Sequence, residues 1–97
     1  MRRLKSAAVG LTNLEILEII TLGTDKVLGK GTSLILFETL RLIYHIDASS
    51  IPLQLDHFEE LARRIMGEEV SRAVFSEIIT EIRIYKKSDK GPPTTLS

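Results

Sequence analysis

Between Ser33 and Ile46 the chain reads SLILFETLRLIYHI, and this stretch constrains the fold more than any other. Wound into a helix, Ile35, Leu36, Phe37, Leu40, Leu42, Ile43, Tyr44 and Ile46 cover more than half the circumference. Only Leu34, Glu38, Arg41 and His45 fall in the remaining strip. The apolar positions do not alternate, and the run is long for a strand. A helix apolar on so many sides is expected at the centre of a bundle, walled in by the other helices.

Three further segments supply those walls. Thr12 and Glu15 have the spacing of a capping box, and Leu11 and Ile16 that of a hydrophobic staple, so a helix is predicted over 12–28. Its apolar face is expected to hold Leu14, Ile16, Leu17, Ile20, Val27 and Leu28. Ile19 and Leu22 fall outside it, toward a neighbouring helix or a second subunit. Gly23 weakens this helix, because an interior glycine costs about 1 kcal/mol relative to alanine. After the break at Pro52, a second capping box from Asp56 to Glu59 opens a helix over 56–66, with Phe58, Leu61, Ala62 and Ile65 inward. Glu59–Arg63 and Glu60–Arg64 mark its solvated side. Gly67 separates it from a last helix over 68–87, whose inner arc is Val70, Val74, Phe75, Ile78, Ile79, Ile82 and Tyr85. The expected fold is therefore all-α: a bundle of four main helices (12–28, 33–46, 56–66, 68–87) forming one domain over 11–87. An arm over 1–10 precedes it, and a flexible tail over 88–97 has no core periodicity.

The glycines of TLGTDKVLGKGTSLI raise the question of a phosphate loop. A Walker A motif needs four residues between its first glycine and Gly-Lys-Ser/Thr, after a strand. Here five residues separate Gly23 from Gly29, Gly31 stands where Ser or Thr should follow Lys30, and the upstream segment is helical. The stretch reads as a turn between two helices. His45 and His57 are the only histidines, and with Asp47 and Asp56 nearby they show no repeated ligand spacing. No nucleophile, base and orienter stand together, so neither catalysis, cofactor nor metal is expected. Cysteine is absent, which excludes thiolate chemistry. No apolar run approaches the roughly 20 residues of a membrane span. The basic start, Arg2, Arg3 and Lys5, is not followed by a signal-peptide pattern, and a cytoplasmic protein is expected.

Thirteen basic and thirteen acidic residues balance, so the whole molecule exerts no general pull on nucleic acid. Local surfaces carry more information. Arg72, Ser76, Thr80, Arg83 and Lys87 share the outer side of the last helix, with like charges at 83/87 and again at Glu77/Glu81 on its flank. This is a candidate contact surface. A helix-turn-helix built from the last two helices would aim it at DNA, although Glu68 and Glu69 at its start repel phosphate. The preferred partner is protein. So much apolar surface on the second helix, with Ile19 and Leu22 beside it, points to a homo-oligomer, most simply a twofold dimer.

The segments LEIIT, LFETLRLIYHID and FEELARRIMGEEVSRAVFSEIITEI, with Gly67 between two helical runs, resemble small helical domains of archaeal proteins. Some of those are attached downstream of signalling modules and taken to be output domains. The resemblance runs over Leu14 to Tyr85 and implies a signalling or regulatory role, with a signalling protein as partner, and no catalytic residues.

Overall fold

Thr12 and Glu15 form the capping box that the sequence predicts. The Glu15 amide donates to Thr12 Oγ1 at 3.1 Å, and the Thr12 amide donates to Glu15 Oε1 at 2.8 Å. From this start the computed structural model, which describes residues 3–90, runs through five α-helices and one 3₁₀ segment. They are α1 (Leu4–Ala7), α2 (Asn13–Leu28), α3 (Thr32–Tyr44), the 3₁₀ segment Ala48–Leu53, α4 (Leu55–Met66) and α5 (Glu68–Lys90). The four long helices lie where the periodicity puts them, and the fold is an all-α bundle. Of the predicted tail, 88–90 continue α5 and 91–97 lie outside the described residues.

The centre of the bundle is the crossing of α2 and α5. Ile16, Ile19 and Ile20 of α2 pack in one core with Val74, Phe75, Ile78, Ile79 and Ile82 of α5. Gly23 lies against Ile78 in this crossing. A Cβ placed on it would stand 2.7 Å from Ile78 Cγ1 and 3.1 Å from Ile78 Cα. The helix-weakening glycine is what lets the two backbones meet.

This crossing changes the expected inner face of α2. Ile19, read as an outward residue, is buried in the core. Leu14, read as inward, is 67% exposed, and Val27 is 37% exposed. The inner arc has turned toward Gly23 because α5 packs there. Leu22 is exposed, as expected.

The stretch read as an arm is partly built into the fold. Leu4, Ala7 and Ala8 are buried, and the Leu4 amide donates to Glu59 Oε2 at 2.9 Å. Glu59 therefore does not close the predicted capping box. Helix α4 begins one residue early, at Leu55, with Gln54 as a cap that makes no side-chain bond. The Glu59 carboxylate is drawn inward to satisfy the orphan amide that opens α1. Arg63 Nη2 donates to its other oxygen at 3.4 Å, and the Arg63 guanidinium lies over the Phe75 ring at 5.6 Å.

The expectation that the second long helix is central is overturned. Only Ser33, Leu36 and Leu40 of α3 are buried. Its packing partners are α2 and the 3₁₀ segment, and α5 fills the central place instead. A chain that leaves α2 by a turn of only three residues sets α3 down beside it, at the edge of the bundle.

Gly23→Ala tests the crossing. Helix propensity alone predicts a gain of about 1 kcal/mol. Overpacking against the Ile78 backbone typically costs about 1–3 kcal/mol, and the expected net result is a loss of up to about 2 kcal/mol in urea denaturation. A stabilised variant would disprove the close contact.

Candidate functional site

Helix α3 is held by its two ends and by one face. Gly29 and Gly31 take positive φ values of 113° and 89°, which turn the chain out of α2 and into α3. The Ser33 amide at the start of α3 donates to Asp25 Oδ1 at 2.9 Å, and Thr32 Oγ1 donates to the Leu28 carbonyl at 3.2 Å. The amide of a glycine-rich helix start that could have faced a phosphate is thus given to an internal carboxylate. That bond, foremost, with the Gly31 amide and the Lys30 charge adding to it, holds Asp25 below the ordinary carboxylate range. At the other end the Ile46 amide donates back to the Leu40 carbonyl at 3.1 Å across His45, which adopts left-handed backbone angles, φ 59° and ψ 38°.

The face of α3 turned away from the core is apolar. Leu34 and Ile35 are each 67% exposed, Leu42 is 63% and Ile43 is 64%. With Glu38 and Thr39 between the two pairs, they line one open groove along the helix. Glu38 is bonded along the rim to Arg41, Nη2 to Oε1 at 2.7 Å. Other exposed apolar side chains, such as Val9, Leu53 and Ile84, stand on separate elements and need no special explanation. Four on one face of a single helix do. The sequence reading put Ile35, Leu42 and Ile43 into the core and so missed this surface. The width of the apolar arc gave the signal, and it pointed to a homo-oligomer without saying which residues of the arc stay exposed.

The surface that the sequence did nominate is in place. Arg72, Ser76, Thr80, Arg83 and Lys87 are all exposed along one side of α5. Arg72 is bonded to Glu68 at 3.3 Å, and Thr80 Oγ1 donates back to the Ser76 carbonyl. Only Gly67 stands between α4 and α5, whereas a helix-turn-helix uses a turn of about 3–4 residues. Of the other two nominated residues, Leu22 is on the surface and Ile19 is inside.

The carboxylate conflict on the flank of α5 is answered from α2. Lys26 Nζ lies 2.6 Å from Glu81 and 4.0 Å from Glu77. Glu81 is buried, and the Lys26 hydrogen bond, with one from Glu77, holds its carboxyl below the usual range. Glu77 moves the other way. Its hydrogen bond with Glu81, then burial and the Glu81 charge, push it up against the pull of Lys26. The group is a structural clamp over the central crossing. Near the N-terminus of α2, Tyr85 donates to Glu15, and this bond, ahead of the Thr12 amide, lowers the Glu15 carboxyl.

Among the described residues no three His, Cys, Asp or Glu side chains gather as a metal site, and no helix is long and apolar enough to cross a membrane. The chain matches no protein-family model, no curated protein and no solved structure.

The clamp has a pH signature. Glu81, Asp25 and Glu15 are lowered carboxylates, so their stabilisation is complete above the ordinary carboxylate range and is lost as pH falls through their folded values. Glu77, raised, contributes in the opposite sense and becomes less favourable as it ionises. Lys26→Met leaves Glu81 buried without its cation and is expected to lower stability at neutral pH, by less than the loss of a fully buried pair because Lys26 is half exposed. The loss should shrink on acidification, once Glu81 is protonated. Urea titrations of both proteins at neutral and acid pH check this, and a loss independent of pH would refute the clamp.

Proposed function

We propose that this protein is a non-catalytic helical interaction module with a regulatory role, and that it meets its partner through the outer face of α3. The observation that carries this reading is the set Leu34, Ile35, Leu42 and Ile43, each about two-thirds exposed on a helix whose opposite side is already in the core. Covering what remains exposed of each side chain is worth roughly 1–2 kcal/mol, or roughly 4–8 kcal/mol for the set. Association costs roughly 4–15 kcal/mol in lost freedom. A partner of this face must therefore bring apolar surface of its own, as a protein does and nucleic acid does not. The resemblance of the chain to output domains adds the expectation of a signalling context.

The face is dispensable for folding if it is a contact surface. Ile35→Lys combined with Leu42→Glu is expected to leave stability within about 0.5 kcal/mol, as for ordinary surface changes. It should also lower binding of the hydrophobic dye ANS several-fold. A large drop in thermal stability would mean that the face is structural, and would remove the proposal.

Nucleic acid is the lesser reading, supported by the alignment of Arg72, Arg83 and Lys87 on α5. Three cations, one of them engaged by Glu68, are a small footprint. We expect a mixed-sequence DNA duplex titrated at low salt to show no saturable binding. Binding that weakens with salt and falls on Arg72→Ala and Arg83→Ala would reverse that ranking.

A further inference from the structure

The geometry points to a second copy of this chain as the occupant of the α3 face, docked antiparallel about a twofold axis that passes between Glu38 and Thr39. This rests on the reading of α3 as the contact face and specifies what covers it.

The first argument is the order of residues along the helix. Leu34 and Ile43 are equally distant from the point between Glu38 and Thr39, and so are Ile35 and Leu42. Turning the helix end for end about that point brings Ile35 against the second copy's Leu42, both near the middle of the face, while Leu34 and Ile43 flank them on opposite sides. The two aliphatic side chains at the middle of the groove then each meet another one. A twofold interface demands such self-complementarity, because the same patch serves both sides. An unrelated partner would not require it.

The second argument is charge. Glu38 and Arg41 lie on one rim of the groove, bonded to each other at 2.7 Å. Under the twofold operation this rim faces its own copy. At a rise of about 1.5 Å per residue, Glu38 comes within roughly 3 Å, along the helix axis, of the second copy's Arg41. The two acids and two bases then alternate around the axis. A parallel arrangement would set this rim against the opposite one, where Thr39 and Ile43 stand, and Glu38 and Arg41 would gain no charged neighbour on the second copy's α3. The aliphatic residues at the centre fit this arrangement, and the charged rim selects the antiparallel direction.

The third argument is supply. The core side of α3 leaves four aliphatic side chains per copy uncovered, and a second copy doubles the apolar surface brought to the contact. With α3 about 20 Å long, the interface is a small one, in the range of weak, concentration-dependent dimers.

The chain has no cysteine, so single introduced thiols report their own neighbours cleanly. Thr39 lies within about 1.5 Å, along the axis, of its symmetry mate in the docked pair. Under mild oxidation Thr39→Cys should form a disulfide-linked dimer, while Arg83→Cys, on the outer side of α5, should not. Sedimentation equilibrium of the native chain should show a monomer–dimer equilibrium in the micromolar range. Leu42→Glu should weaken it at least about tenfold, with the helical circular dichroism unchanged. A native chain that stays monomeric to millimolar concentration overturns the second copy. If that monomer binds ANS through α3, the contact-face reading survives and an unlike protein is the occupant. If the α3 variants change neither dye binding nor association, both readings fail. A dimer that resists Leu42→Glu and links through Arg83→Cys places the interface elsewhere and also overturns the proposal.

Discussion

The contact of Gly23 with Ile78 is the constraint on which the rest of this bundle depends. Only a residue without a Cβ lets α2 approach the α5 backbone this closely. Once it does, α5 takes the centre, Ile19 turns inward and Leu14 turns outward. Lys26, one turn beyond Gly23, is brought to the Glu77 and Glu81 carboxyls, and a like-charge pair that would weaken α5 alone becomes part of the crossing. A local penalty in helix propensity is thereby outweighed by a tertiary contact.

The same crossing decides the fate of α3. With α5 against α2, the place beside α2 that remains is at the edge, and α3 occupies it through Ser33, Leu36 and Leu40. Asp25 fixes the turn by accepting the Ser33 amide, so the glycine-rich stretch has its anion built in. The helix with the most apolar sequence is thus left with one wet apolar side. That conflict between composition and position supports a contact face better than any single residue does.

The N-terminal residues carry a related lesson. Glu59 stands at the right spacing for a capping box on α4, yet its carboxylate serves the Leu4 amide of α1. Leaving a buried amide unpaired costs more than forgoing a solvent-exposed cap, so the long-range bond prevails. Four buried or stacked groups, Leu4, Glu59, Arg63 and Phe75, then join α1 to α4 and α5.

What the sequence determined by itself was local. The capping box at Thr12, the glycine turns, the break at Pro52 and the apolar arc of α5 from Val74 onward follow from spacing and backbone sterics; Val70, read into that arc, is exposed, because the first turn of α5 projects beyond the core. The exposed stripe of Arg72, Ser76, Thr80, Arg83 and Lys87 was legible for the same reason, since a helix of known phase fixes which residues share a side. The tertiary structure alone decided which apolar sides find neighbours. Periodicity measures the width of an arc but not what packs against it, so Ile19, Leu42 and Ile43 were assigned to the wrong environments. Those assignments turn on one close approach of two backbones, and a glycine in a sequence does not say what comes near it.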